Sequence, residues 1–279
     1  MITASLVLYN SPEEQIKRIL DCVQKSEIDR IFVFDNSTDP KSKAICEAFS
    51  KVTFTYHENT GYGGTHNLGI KEAVQLKSDY HLVVNPDIYF EPQTITELKK
   101  FMDDNPDCAQ VMPKITYPDG SLQYLCKMIP SPSDLFIKRF LPGKLKQKLL
   151  YKFQLKFTGY DKIMNIPYLS GCFMFFKTEA FTKVGMFDER FFMYPEDIDI
   201  TRRMHEQYKT LFYPFVTVVH DHGAASYKSK KMLMVHIKNM CKYFNKWGWL
   251  FDRKRSRTNR ELLKELNWKQ LKKNYKAGK

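Results

Sequence analysis

Residues 81–90, HLVVNPDIYF, begin as a buried strand and end in a polar corner. The short apolar run at residues 81–84 is typical of a strand inside a parallel sheet. It stops at Asn85-Pro86-Asp87, where the proline restricts the backbone just before a carboxylate. Such a triplet is consistent with an ordinary turn or helix cap. It is equally consistent with a carboxylate that binds Mg²⁺ or Mn²⁺ while a phosphate supplies further oxygens.

The chain around this corner alternates between strand and helix patterns. This alternation predicts an α/β fold with a mostly parallel, doubly wound, Rossmann-like sheet flanked by helices. Ligands of such sheets bind at the carboxyl ends of the strands. Polar clusters follow three of the predicted strands, at Tyr9-Asn10, at Asp35-Asn36-Ser37 and at Asn85-Pro86-Asp87. We therefore expect a ligand site where these clusters meet.

Composition excludes several classes of protein. The 279 residues are 43% apolar and 14% aromatic, enough to bury a core. No run approaches the roughly 18 to 20 apolar residues that a membrane-spanning helix needs. Met1 leads into a strand without a charged leader, so we expect no signal peptide. The six cysteines are dispersed, which favours reduced thiols in a cytoplasmic protein.

The net charge of +13 is concentrated near the end of the chain. Residues 228–279 contain 17 Lys and Arg but three acids, so the preceding 227 residues sum to −1. A second basic stretch, residues 135–157, has seven Lys and Arg and no acid. We expect a domain at 1–226 carrying this insertion, and a basic helical tail at 227–279. Both stretches suit an anionic membrane surface, a nucleic acid or a plain solvated face; the absence of a nucleic-acid fold signature favours the membrane.

Two further motifs carry acids and histidines. In FFMYPEDIDITRRM (191–204), Asp197 and Asp199 are two residues apart and point to different faces of the predicted helix. One carboxylate can therefore act as a general base while the other pairs with Arg202 or Arg203. In VVHDHG (218–223), the two histidines favour a metal ligand or phosphate contact, although a lone histidine after a strand is usually structural.

The order of these motifs carries more information than any one of them. Over residues 1–226 the chain resembles the family 2 glycosyltransferases, which are inverting enzymes of the GT-A fold that use nucleotide-sugar donors. The most specific segment is residues 170–199, where Ser-Gly, Phe-Asp-Glu and Glu-Asp-x-Asp recur at the family's spacing. Within the family, the chain looks most like bacterial rhamnosyltransferases of surface-polysaccharide assembly.

The resemblance implies a role for each candidate residue. Asn85-x-Asp87 corresponds to the D-x-D metal motif with its first acid replaced, and Asp197 to the catalytic base. Metal binding is implied for Asp87 and His220, with His222 as a second histidine. Residues implied in binding the donor are Tyr9, Asn10, Asp35, Asn67, Asn85 and Arg203. The cofactor would be Mg²⁺ or Mn²⁺.

The resemblance also implies substrates and partners. We expect dTDP-rhamnose as donor, or a UDP-hexose such as UDP-galactose, and a polyprenyl-diphosphate-linked glycan as acceptor. The enzyme would lie against the cytoplasmic face of the cell membrane, with a homodimer possible and no nucleic acid bound. The alternatives are a nucleic-acid-binding protein that uses the basic tail, a nucleotidyltransferase and a catalytically inactive nucleotide-binding scaffold.

Overall fold

A computed structural model describes residues 1–38, 41–134, 143–221 and 230–277 of the chain. Within this part, nine strands form one sheet. They are β1 (Ile2–Leu8), β2 (Arg30–Asp35), β3 (Val52–Tyr56), β4 (Tyr80–Val84), β5 (Ile88–Phe90), β6 (Cys108–Thr116), β7 (Met164–Asn165), β8 (Phe173–Lys177) and β9 (Lys209–His220). Their order is β3-β2-β1-β4-β8-β6-β9-β5, and β7 pairs with β9.

Helices cover both faces of the sheet. They are α1 (Glu13–Lys25), α2 (Lys43–Glu47), α3 (Tyr62–Gln75), α4 (Gln93–Asp103), α5 (Gly143–Phe153), α6 (Ala180–Val184), α7 (Glu196–His205), α8 (Lys230–Trp247), α9 (Arg253–Glu265) and α10 (Trp268–Ala277). One hydrophobic core lies between the sheet and α1, α4 and α9, and a second lies between the sheet and α3, α6 and α7. The predicted α/β class, with a Rossmann-like sheet flanked by helices, is confirmed.

Parallel pairing joins the first four strands of the order. β3, β2, β1 and β4 are mutually parallel, so their carboxyl ends lie at one edge of the sheet. β8 runs antiparallel to β4, with Phe173 opposite Val84. The residues before β8 therefore lie beside the end of β4. This pairing brings residues 170–172 to the edge where the polar clusters were predicted.

The basic C-terminal extension is helical, as predicted, and it packs against the rest of the chain. In α8, Met240, Tyr243 and Phe244 are buried in a cluster with Phe191 and Ile198. The predicted boundary at 226/227 falls outside the described residues. None of the described helices combines the length and apolar composition that crossing a bilayer requires. All six cysteines are free thiols.

A buried polar network crosses the second core beneath α3. Ser5 Oγ lies 2.7 Å from His66 Nδ1 and 3.0 Å from His81 Nε2. Thr3 Oγ1 continues the network to His81 Nδ1 at 2.9 Å and to Ser78 Oγ at 3.1 Å. Burial lowers the pKa of each histidine to about 3, so both are neutral in the folded protein.

These histidines predict a loss of stability in acid. Between pH 6.5 and about 3 the unfolded chain binds protons that the folded chain excludes. For each unit by which the pH falls in this range, each histidine therefore lowers the free energy of unfolding by about 1.4 kcal/mol. In His81→Gln, the slope of unfolding free energy against pH, measured by urea denaturation between pH 4.5 and 6, becomes shallower by about that amount. Ser78→Ala is the control, because it lowers stability but keeps the wild-type slope. Equal slopes in His81→Gln and the wild type would refute the neutral-histidine network.

Candidate functional site

The corner after β4 is held by a neighbouring turn and by the end of β9. The backbone N–H of Asn85 donates to the carbonyl of Cys172 at 3.0 Å. β5 pairs with β9 so that Ile88 lies opposite His220, and this brings His220 Nε2 to 3.3 Å from Asp87 Oδ1. Two residues predicted to bind metal, 133 positions apart in sequence, are therefore neighbours.

Gln123 orients the ring of His220. Its Nδ1 lies 2.9 Å from Gln123 Oε1, while the amide of Gln123 donates to the carbonyl of His220 at 2.8 Å. Burial alone would lower the pKa of His220, but the Cys172 thiol and the Asp87 carboxylate raise it. With the ring fixed at Nδ1, a cation bound beside Asp87 would replace the proton that this raised pKa favours on Nε2.

The side chains at this corner suit a divalent cation that a bound phosphate also coordinates. Asp87 and His220 provide one carboxylate and one imidazole, and the described residues contain no cluster of three or more His, Cys, Asp or Glu side chains able to hold a metal. Mg²⁺ commonly binds proteins through one or two carboxylates and takes its other oxygens from phosphates and water. His222, the other predicted ligand, lies outside the described residues.

Asp197 lies in the first turn of α7, across the site from Asp87. Its Oδ2 accepts a hydrogen bond from the backbone N–H of Gly171 at 3.1 Å, and its Oδ1 accepts one from Ile198 N–H at 2.8 Å. Burial raises the pKa of Asp197 to about 6, while the positive charge of Lys127 and these N–H groups oppose the rise. At neutral pH this carboxylate is therefore charged but only weakly stabilised, as a proton acceptor should be.

Tyr62, the first residue of α3, contacts the turn that holds Asp197. Its hydroxyl donates to the carbonyl of Gly171 at 2.5 Å. Burial raises the pKa of Tyr62 well above its ordinary value, and the negative charges of Glu196, Asp197 and Asp87 reinforce the effect. The turn at residues 171–172 links the two sides of the site, because Cys172 O accepts from Asn85 N–H and Gly171 N–H donates to Asp197 Oδ2. A shared pocket for Asp87 and Asp197 stays a prediction.

The comparisons with known proteins agree with this geometry. A family model described as "Glycosyl transferase family 2" matches residues 4–185, about two thirds of the chain. The chain belongs to glycosyl transferase family 2. Rhamnosyltransferase WbbL of Escherichia coli K12 is 26% identical to this glycosyltransferase over 247 residues, which cover 85% of the chain and 90% of WbbL. An N-acetylglucosaminyl-diphospho-decaprenol L-rhamnosyltransferase of Mycobacterium tuberculosis is 26% identical over 205 residues, or 68% of this chain and 66% of that protein.

Solved structures support the fold of the glycosyltransferase. GalNAc-T7, crystallised with UDP, GalNAc and Mn²⁺, superimposes with a TM-score of 0.57 at 14% identity over 78% of this chain. S. aureus TarS 1–349 gives a TM-score of 0.55 at 16% identity, also over 78% of this chain. The chain spans 43% and 60% of those two proteins, respectively.

The residues predicted to contact the nucleotide lie at the ends of β1 and β2. Tyr9 is 58% exposed, and Asn10 takes a left-handed backbone with φ of 51° while its N–H donates to Ser37 Oγ at 2.8 Å. Asp35 is buried and accepts hydrogen bonds from Ser37 N–H at 2.8 Å and from the hydroxyl of Ser42. Since β1 is parallel to both β2 and β4, these residues share the edge with Asn85 and Asp87.

Two other residues predicted to contact the sugar donor make hydrogen bonds within the protein. The Asn67 amide holds the segment before α7 through three hydrogen bonds. Its N–H₂ group donates to Phe187 O at 2.9 Å and to Glu189 Oε1 at 3.0 Å, and its oxygen accepts from Phe187 N–H at 2.9 Å. Arg203 donates to Asp199 Oδ2 at 2.8 Å and to the carbonyls of residues 184–186. Both side chains shape the walls of the site, and direct contact with the donor stays a prediction for each. The Asp199–Arg203 pair is one of the pairings predicted from the spacing of Asp197 and Asp199.

Sequence reasoning did not single out several residues of this site. Glu196 is 5% exposed, and its Oε2 has no hydrogen-bond partner among the described residues. Burial and the adjacent Asp197 raise the pKa of Glu196 well above its ordinary value. Lys127 lies over the ring of Tyr168, 4.6 Å from its centroid, and its charge lowers the pKa of Asp197. Gly171 and Glu196 had a signal in the sequence, as parts of the Ser-Gly and Glu-Asp-x-Asp patterns in the most specific segment.

The close approach at Gly171 predicts the effect of adding one methyl group. A Cβ at this position would lie 3.2 Å from Asp197 Cβ and 3.7 Å from Tyr62 Cε1. Gly171→Ala should displace Asp197 by a few tenths of an ångström and lower turnover about tenfold, since misplacement of about 1 Å costs roughly 100-fold. Turnover and melting temperature should be measured together. Wild-type turnover in a variant with wild-type melting temperature would show that this contact does not position Asp197.

Proposed function

We propose that this glycosyltransferase transfers a sugar, with rhamnose favoured, from a nucleotide-diphosphate donor to a polyprenyl-diphosphate-linked glycan, with inversion at the anomeric carbon. The observation that carries the proposal is that one turn, residues 171–172, bonds both to Asn85, next to the Asp87–His220 pair, and to Asp197. The relatives named as rhamnosyltransferases support the choice of sugar. A relative described as hexosyltransferase Agl10, 24% identical over 73% of this chain, supports a UDP-hexose as the alternative donor.

The surroundings of Asp197 favour a single displacement. Burial raises the pKa of Asp197 to about 6, and Lys127 and two backbone N–H groups favour its ionised form. The Asp197 carboxylate would take the proton of the acceptor hydroxyl as that oxygen forms a bond to the anomeric carbon. The bond between this carbon and the diphosphate breaks in the same step, so the configuration inverts.

The Asp87 and His220 side chains would bind the metal ion that accompanies the donor diphosphate. A Mg²⁺ or Mn²⁺ ion held there would supply positive charge to the leaving diphosphate. The buried Oδ1 of Asn85, which lacks a hydrogen-bond partner among the described residues, is available to a donor hydroxyl. Tyr9 and Asn10 would contact the base or ribose from the exposed end of β1.

The acceptor would approach from the side of α5 and the start of α7. Phe153, at the end of α5, packs against the cluster that contains Tyr168 and Ile198. α5 contains four lysines, has no acid and buries none of its residues. This composition suits a lipid-linked substrate at an anionic leaflet. We accordingly propose peripheral attachment to the cytoplasmic face of the membrane; a homodimer remains a prediction from the resemblance.

The role of Asp197 is tested by the pH dependence of turnover. As pH rises through about 6, Asp197 loses its proton, so wild-type kcat/KM should rise with unit slope and then level off. Asp197→Asn should lower kcat by about 10²- to 10⁴-fold and remove this acid limb. Glu196→Gln, the same kind of change at the adjacent acid, is the matched control and should lose far less. The assignment fails if Asp197→Asn retains near-normal turnover or if Glu196→Gln is the more damaging change.

The role of Asp87 is tested by binding rather than by turnover. Titration calorimetry with dTDP and UDP, in MnCl₂ and in EDTA, gives the metal-dependent part of nucleotide affinity. In Asp87→Ala this part should fall by at least about tenfold, since even indirect supports of a metal ligand contribute 10- to 100-fold. Affinity in EDTA serves as the internal control and should change little. A wild-type response to Mn²⁺ in the variant would exclude Asp87 as a ligand.

The donor itself can be identified by a thermal-shift screen. dTDP-rhamnose, UDP-galactose and other UDP-hexoses would be compared with and without Mn²⁺, because a ligand that binds the folded state raises its melting temperature. We expect the largest shift from dTDP-rhamnose with Mn²⁺, followed by transfer to a lipid-linked acceptor. No shift from any nucleotide sugar would argue against sugar transfer.

A further inference from the structure

Three bulky apolar residues project from the turn between α8 and α9. Phe251 is 93% exposed, Leu250 is 79% exposed and Trp249 is 44% exposed. Single exposed apolar residues are common, but three in succession at one turn form a contiguous patch. Such a patch marks an interaction surface when the turn that displays it is well fixed.

The turn is held by the rest of the fold. Gly248 has a φ of 101°, a left-handed backbone conformation that favours glycine, and its N–H donates to Phe244 O at 2.7 Å. Asp252 caps α9 by accepting from Arg255 N–H at 2.8 Å, and it accepts two hydrogen bonds from the buried Arg202 guanidinium at 2.7 and 2.8 Å. The apolar side chains therefore project from a turn anchored to α7.

Two further exposed apolar residues lie on α8 itself. Met234 is 63% exposed and Ile237 is 45% exposed. Met234 lies on the face opposite buried Tyr243, and Ile237 borders the buried face that carries Met240 and Phe244. We call the exposed set the α8 stripe: Met234, Ile237, Trp249, Leu250 and Phe251. A helix that is anchored by one apolar face and exposes another can lie in the plane of a membrane interface.

The positive charge around the α8 stripe favours an anionic membrane as its partner. Residues 230–260 contain ten Lys and Arg and a single acid, Asp252, which is buried against Arg202. Arg253, Lys254 and Arg257 are exposed immediately after the turn. A second copy of this surface would meet it with the same positive charge, which disfavours a dimer. An anionic bilayer instead offers phosphate headgroups to the basic residues and an acyl boundary to the apolar ones.

We propose that the α8 stripe is the membrane anchor of the protein, with Leu250 and Phe251 inserted below the headgroups of an anionic leaflet. The inference deepens the membrane attachment of the proposed function by assigning it to particular side chains, and it differs from attachment through α5. The anchor is joined directly to the helix that carries Asp197, because Trp247 Nε1 donates to Asp199 Oδ1 at 2.8 Å and Asp252 holds Arg202. Docking would thereby fix the height of the catalytic pocket above the membrane.

Vesicle binding by the full-length chain tests the proposal. Co-sedimentation with phosphatidylcholine vesicles containing 0 or about 30% phosphatidylglycerol gives the partition constant, and the anionic fraction should increase it. Leu250→Ser combined with Phe251→Ser should lower the constant for anionic vesicles about tenfold or more. Phe215→Ser, which alters a 65% exposed residue on β9, is the matched control and should bind as the wild type does. Leu145→Ser, at a 55% exposed position of α5, tests the rival anchor and should have the smaller effect.

Each outcome decides for or against the α8 stripe. Wild-type partition by the Leu250/Phe251 variant, or a larger loss from Leu145→Ser, would overturn the proposal. So would a wild-type dimer in lipid-free solution that the double variant converts to a monomer, since the stripe would then be a subunit interface. Melting temperatures and nucleotide-sugar shifts of all variants should match the wild type. The nucleotide-sugar shifts distinguish failure of the anchor proposal from failure of the proposed sugar transfer. Loss of vesicle binding with intact donor binding concerns the anchor alone.

Discussion

The backbone of Gly171 and Cys172 joins three parts of the chain that are distant in sequence. Cys172 O accepts from Asn85 N–H, Gly171 O accepts from the Tyr62 hydroxyl, and Gly171 N–H donates to Asp197. β8 begins directly after this turn and pairs with β4, which fixes the turn relative to the sheet edge. The backbone of one turn therefore fixes the position of Asn85 through a main-chain hydrogen bond and holds the side chains of Tyr62 and Asp197.

That frame places two adjacent acids of α7 in different surroundings. Glu196 has one buried carboxyl oxygen without a hydrogen-bond partner among the described residues, whereas Asp197 receives two backbone N–H groups and the field of Lys127. Desolvation raises both pKa values, and backbone hydrogen bonds partly oppose the rise for each acid. The charge of Lys127 favours the ionised form of Asp197, whereas proximity to Asp197 opposes ionisation of Glu196. Adjacent positions in sequence thus differ in the charge that each carboxyl group meets.

Local signals in the sequence predicted the strands and the edge where polar residues gather, because hydrophobic runs and turn residues act over a few positions. The Asp87–His220 contact came from the order of motifs, and β5–β9 pairing accounts for it. Asn67 and Arg203 differ, since their amide and guanidinium bond to residues 184–189, a segment brought near only by tertiary packing. Tyr62 and Lys127 likewise had no local signal, because their effect on Asp197 depends on contacts across the fold.

The basic extension was predicted from its charge alone, and charge accounts for only its outer face. The inner face contributes Tyr243 and Trp247 around Arg202, whose guanidinium lies 3.8 Å from the Trp247 ring and pairs with buried Asp252. Removing the extension would take from Arg202 both its counter-charge and the Tyr243 and Trp247 rings that cover it. A truncated protein would therefore lose support for α7 along with any membrane contact. Because one extension both braces α7 and carries the exposed stripe, single side-chain changes on its outer face are needed to separate folding from docking.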